Sequence, residues 1–192
     1  FPIMKYYLTI FLLVVASVVS GAEPAVRTTM SLNDDWQFYF IDDDISDASY
    51  ITLPHTWSDG KQGCCYATAN YVRSFMVPAT MRGKRLFLRF GGVQSVADLF
   101  VNGRHIGEHR GGYTAFTMEI THRVNFGANN MILVVVSNNQ RNDVLPTSTD
   151  QMLYGGIYRD VELLVTNKQI VSPTYYSSDG VFVDQHEVSP ER

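Results

Sequence analysis

An all-β sandwich is the fold this sequence predicts, and three observations predict it. Short runs alternate apolar and polar residues and are rich in Val, Phe and Tyr. Gly, Asn and Pro turns separate them at regular intervals. No segment carries a helical stripe of useful length, and no repeat or low-complexity tract interrupts the pattern.

The elements follow in order. "DWQFYF" (Asp35 to Phe40) alternates and precedes the acidic loop "IDDDISD". "ITLPHTW" (Ile51 to Trp57) is expected as a strand, with Pro54 at its end or on a sheet edge. "YVRSFMVP" places Tyr71, Arg73, Phe75 and Val77 on one face, and Pro78 ends it. "KRLFLRF" groups Leu86, Leu88 and Phe90 opposite Arg85, Phe87 and Arg89. In "VADLFVNGRHIGEH", Asn102-Gly103 suits a type I′ turn, in which both central residues take positive φ. Counting outward, Val101 faces Arg104, Leu99 faces Ile106 and Ala97 faces Glu108, which puts Ala97, Leu99, Val101 and Ile106 on the core side. "TAFTMEIT" aligns Phe116, Met118 and Ile120. "NMILVVVSN" is a continuous apolar run, expected as a central strand covered on both faces. "YRDVELLVT" closes the set, with Glu162 on its solvent face. About eight strands in two sheets suit a jelly roll.

The chain has 192 residues and a net charge of −4, which gives no sign of a nucleic-acid partner. Lys5, the apolar run Tyr6 to Val19 and the small residues Ser20-Gly21-Ala22 read as a secretory signal within residues 1–22, cut after Ala22. The run falls short of the ~18–20 residues that a membrane span needs. An exported protein, periplasmic or extracellular, with no membrane contact after cleavage is therefore expected. Phe1-Pro2-Ile3 precede the expected start at Met4. The only cysteines, Cys64 and Cys65, are adjacent; they form no disulfide framework and lack metal-site spacing.

Four ordered motifs then carry a resemblance. "LPHTW" (Leu53 to Trp57), "YVRSFMVP" (Tyr71 to Pro78), "LRFGGVQSVADLFVNGRHIGEHRGGYTAFTMEIT" (Leu88 to Thr121) and "YGGIYRDVELL" (Tyr154 to Leu164) resemble the N-terminal sugar-binding domain of glycoside hydrolase family 2, the β-galactosidase and β-glucuronidase family. The resemblance implies a jelly-roll sugar-binding domain over residues 31–168. It also implies that residues 169–192 are a linker and the first strand or strands of an immunoglobulin-like domain. Gly180 to Val183 and His186 to Val188 are the strand-like pieces. On this reading the chain is an N-terminal fragment. Gly111-Gly112-Tyr113 is then a structural turn with its aromatic packed beside it.

A retaining glycosidase needs two carboxyl groups about 5–5.5 Å apart. In the family both are glutamates of a (β/α)₈ barrel, which takes about 250 residues and does not fit after Asn167. Glu108, Glu119, Glu162 and Glu187 are accordingly assigned no catalytic role, and the chain alone is expected to be inactive. One carboxylate matches a functional position of the family. Asp150, in "STDQMLYGGIYRD", corresponds to an Asp that in several members contacts the terminal sugar or a bound cation at the barrel's active site. A carboxylate can accept hydrogen bonds from vicinal hydroxyls. A locally satisfied turn residue is the plain alternative. No cofactor and no metal site are expected; His105 and His109, about 13 Å apart on a strand, do not suit one. His55 is expected to be packed and hydrogen-bonded. Trp36, Trp57, Tyr66 and Tyr154 could stack on sugars, but most are expected in the core. The alternative to a hydrolase domain is a free-standing carbohydrate-binding module.

Overall fold

The structure, a computed structural model, describes residues 27–57, 66–145, 147 and 154–186. Twelve strands run β1 (Arg27–Ser31), β2 (Trp36–Phe40), β3 (Ser49–Ile51), β4 (Thr68–Val77), β5 (Arg85–Phe90), β6 (Val93–Gln94), β7 (Val96–Val101), β8 (Arg104–Arg110), β9 (Phe116–Glu119), β10 (Ala128–Ser137), β11 (Gly156–Ile157) and β12 (Val161–Thr166). One sheet has the order β1-β12-β5-β9 and the other β3-β2-β4-β10-β7-β8; β11 and β6 form a separate pair. Every pairing is antiparallel. Apart from the β2–β3 and β7–β8 pairs, the strands that lie side by side are non-consecutive, as a jelly-roll sandwich requires.

The core forms where the alternating faces meet. Leu86, Leu88 and Phe90 of β5 and Val161, Leu163 and Val165 of β12 pack against Tyr71, Phe75 and Val77 of β4 and Ile132, Val134 and Val136 of β10. The faces expected for β4, β5 and β9 are the ones that are buried. Trp36 is fully buried and donates from Nε1 to the Leu32 carbonyl at 2.6 Å. This satisfies the one polar atom of a large apolar ring.

Several expectations are corrected. The strand expected over Ile51 to Trp57 ends at Ile51. Beyond it the chain is an irregular connection held by Leu53 N–H to Asn33 O, His55 N–H to Ile157 O and Trp57 N–H to Gly155 O. The Asn102-Gly103 turn has φ of 51° and 74°, as type I′ demands. The register moves beyond it, however: Phe100 faces His105, but Leu99 faces Gly107 and Ala97 faces His109. A bulge at Leu99/Phe100 absorbs one residue, a local event that alternation alone does not encode. Ala97, Leu99 and Val101 still reach the core, and Ile106 packs against it. β10 is central, between β4 and β7, but is covered fully on one face only; Leu133 and Val135 are half-buried and Met131 is exposed. Phe87, on the outward face of β5, is nevertheless fully buried opposite Leu164, with the Arg85 guanidinium 5.0 Å over its ring. Tyr113 is exposed, not packed beside its turn.

Residues 169–186 carry no strand, including the stretch Gly180 to Val183. Part of this segment lies against the outer face of the four-stranded sheet. Pro173 and Ser177 are buried, Thr117 Oγ1 and Ser177 Oγ are 2.6 Å apart, and Arg27 pairs with Asp179 at 2.6 Å.

One ion pair makes a pH prediction. Arg85 grips both carboxylate oxygens of Glu119, at 3.0 and 2.6 Å, and Thr121 donates to the same carboxylate at 2.7 Å. The Arg85 hydrogen bond is the main reason the Glu119 carboxyl is held below the usual range. A lowered folded pKa stabilises the fold above the unfolded value and is lost as pH falls through the folded one. Glu119→Gln should therefore lower Tm at pH 7 and flatten the decline in Tm between about pH 5 and 3. Parallel Tm-versus-pH curves for the two proteins would refute this.

Candidate functional site

Three of the segments that carry the sequence motifs, residues 53–57, 91–95 and 154–158, meet at one end of the sandwich together with the glycine turn 111–113. β6 and β11 pair there, Gly156 opposite Gln94 and Ile157 opposite Val93. The 53–57 connection is tied to it through His55 N–H to Ile157 O at 2.8 Å and Trp57 N–H to Gly155 O at 3.1 Å. Gly111 N–H donates to Ser95 O at 2.9 Å. The Tyr158 hydroxyl donates to Gly112 O at 2.5 Å. Backbone thus approaches backbone with little side chain between. At Gly112 a Cβ would lie 1.7 Å from Gln94 Oε1, so any larger residue requires the buried Gln94 side chain to move.

An aromatic layer supports this junction from below. Phe38 lies 5.1 Å from Tyr71, 4.7 Å from His55 and 6.1 Å from Trp57, the last stacked. Tyr71 is fully buried and its Oη is 2.9 Å from His55 Nδ1. Burial pushes the Tyr71 hydroxyl well above its ordinary pKa, so it stays protonated. His55 is packed and hydrogen-bonded, as its motif position implied.

Gln94 is the residue that sequence reasoning missed. It is fully buried, and neither side-chain amide atom has a hydrogen-bond partner among the described residues. An unpaired buried amide is costly, so this group is a candidate for contact with something outside the described residues. The available signal was its place between Gly91-Gly92 and the hairpin, in a strand of two residues. Beside the junction lies a cleft of about 420 Å³ lined by Pro54, Arg89, Tyr158, Arg159 and Asp160 among others. Tyr154 is 37% exposed and meets Tyr158 edge-on at 5.4 Å.

Asp150 lies outside the described residues, as do Cys64, Cys65, Glu187 and the segment read as a signal. Tyr154 is the first described residue after Asp150. The other glutamates set aside above are all engaged: Glu108 with Arg110, Glu119 with Arg85, and Glu162 with Arg89 at 3.6 Å. His105 bonds Asp98 at 3.0 Å, while His109 stacks on Phe116 at 4.1 Å; no metal-ligating cluster occurs among the described residues. Of the aromatic candidates, Trp36 is core and Trp57 is partly buried, but Tyr66 and Tyr154 are exposed.

The fold and this junction define a jelly-roll domain of the sugar-binding type. The family model described as glycosyl hydrolases family 2, sugar binding domain, matches residues 22–167. The chain belongs to that family. It is 44% identical over 172 residues to a β-glucuronidase of Bacteroides fragilis, covering 87% of this chain and 25% of that protein. A β-galactosidase of Thermoanaerobacter pseudethanolicus is 32% identical over 179 residues, covering 85% and 24%. Among solved structures, a putative β-galactosidase from Bacteroides fragilis superposes with a TM-score of 0.78 at 35% identity, covering 85% of this chain and 27% of that one. The chain thus spans about a quarter of the length of these relatives.

Proposed function

We propose that this chain is the sugar-binding and bracing domain of an exported enzyme that hydrolyses β-glycosides, with Asp150 reaching the terminal sugar. The convergence of the junction segments carries this reading. The chain passes from Asp150 into Tyr154 and β11, which pairs with β6 and is tied to the 53–57 connection. A segment anchored there can hold a carboxylate against a neighbouring domain. The hydrolytic carboxyl pair belongs to the barrel of the whole protein, so the 192-residue chain alone should not cleave aryl β-galactosides or β-glucuronides. Turnover that follows the purified chain and vanishes on mutating one Glu would overturn this. Export predicts a mature N-terminus at Glu23, which mass spectrometry of the secreted protein would read.

The decisive experiment is Asp150→Asn. In the chain alone, melting should shift by no more than about 0.5 kcal/mol. In an enzyme carrying the barrel, kcat/KM should fall about ten- to a hundred-fold, since a hydrogen bond to a charged group contributes roughly 1.5–3 kcal/mol. If the melt collapses while the kinetics of the folded enzyme stay normal, Asp150 is a turn residue.

A further inference from the structure

The end of the sandwich opposite the junction carries a different chemistry. Two pockets adjoin there and share His122. One, of about 520 Å³, is lined by Lys84, Arg85, Lys168 and Phe126 among others. The second, of about 340 Å³, is lined by Arg104, Arg123 and Asn102 among others. Arg82 sits beside them, its guanidinium 5.8 Å over the Phe126 ring. Six of the chain's 15 basic residues therefore gather at one end, and Glu119 is the only carboxylate in either lining. The net charge of −4 conceals this local excess. Glu119 is already held by Arg85. Lys84, Lys168, Arg104 and Arg123 have no carboxylate partner among the described residues, and Lys168, Arg104, His122 and Arg123 are exposed.

We infer that this end binds an anionic glycan, a chain of sugars bearing carboxylate or sulfate groups. Like charges held close without counter-charges repel, and an anion that bridges them relieves this. Two contiguous pockets suit an extended ligand better than a single ion. Phe126 offers a partly buried ring between the charges, which suits the apolar face of a sugar. The inference stands apart from the role of Asp150 and survives its failure.

The test is calorimetric titration of the full chain, in about 50 mM salt, with tetragalacturonate (carboxylates) and a carrageenan tetrasaccharide (sulfates). Maltotetraose, a DNA tetranucleotide and inorganic phosphate serve as comparisons. Saturable binding of either acidic glycan, tighter than of all three comparisons, is expected. Arg123→Glu combined with Lys168→Glu should weaken it about tenfold or more, since exposed ion pairs are individually weak but here act together. Arg123→Glu alone should weaken it more than Arg141→Glu, which changes net charge equally but lies beyond the other end of β10. Absence of saturable binding, equal binding of maltotetraose, tighter binding of DNA or phosphate, or equal effects of Arg123→Glu and Arg141→Glu would each overturn the inference. Unchanged melting midpoints of the variants establish that the exposed substitutions leave the fold intact.

Discussion

Gly156→Ala is expected to destabilise the domain by about 3 kcal/mol or more, from two costs that add. Gly156 has φ of +130°, a conformation L residues rarely adopt. Its Cβ would also lie 2.4 Å from the His55 carbonyl oxygen and 2.8 Å from Tyr71 Oη. Neither obstacle can move cheaply. The carbonyl belongs to a connection tied to Ile157, and the hydroxyl belongs to a fully buried ring. Gly103→Ala is the control, because its φ of +74° carries the conformational cost with nothing within 4 Å of the added atom. That change should cost only about 1 kcal/mol. Urea melts of the three proteins decide the matter. Equal losses for the two variants would mean that the close approach at the junction contributes nothing.

The contrast between these glycines shows what the sequence could reveal. Gly103 was legible because its role is local: Asn-Gly between alternating runs specifies a turn whatever surrounds it. Gly156 was not, because its constraint comes from His55 and Tyr71, which precede it by about a hundred and by about eighty-five residues respectively and meet it only through the fold. The same division holds elsewhere. Alternation located the core faces of β4, β5 and β9, since a side-chain period of two is a backbone property. It could not foresee the bulge at Leu99/Phe100, nor that Phe87 would be buried on the outward face. It could not reveal the unpaired Gln94 amide or the gathering of cations around His122, because both arise from segments far apart in sequence. Asp150 was proposed from the motif alone, through residues 154–158 that follow it.

Tyr71 is expected to separate the two layers of this architecture. Tyr71→Ala removes a fully buried ring that touches Trp36, Phe38 and His55. Truncations of this kind cost about 3–5 kcal/mol, part lost transfer energy and part cavity. Most of a typical domain's stability of about 5–15 kcal/mol is then at stake. Tyr71→Phe keeps the ring and deletes only the hydroxyl, which lies 2.9 Å from His55 Nδ1. The expected global loss is smaller, about 0.5–1.5 kcal/mol, because one hydrogen bond to the half-buried His55 ring is lost. Its location is the stronger signature. His55 and Ile157 belong to the two segments that the junction joins, so their amides should exchange faster in Tyr71→Phe. Core amides of β10 should change only by the global shift. Hydrogen exchange and urea melts measured on the same samples separate these outcomes. If Tyr71→Phe destabilises as much as Tyr71→Ala, ring packing is not the source of the stability. If the His55 and Ile157 amides exchange no faster than those of β10, the hydroxyl does not fasten the junction to the core, and the anchoring ascribed to β11 fails with it.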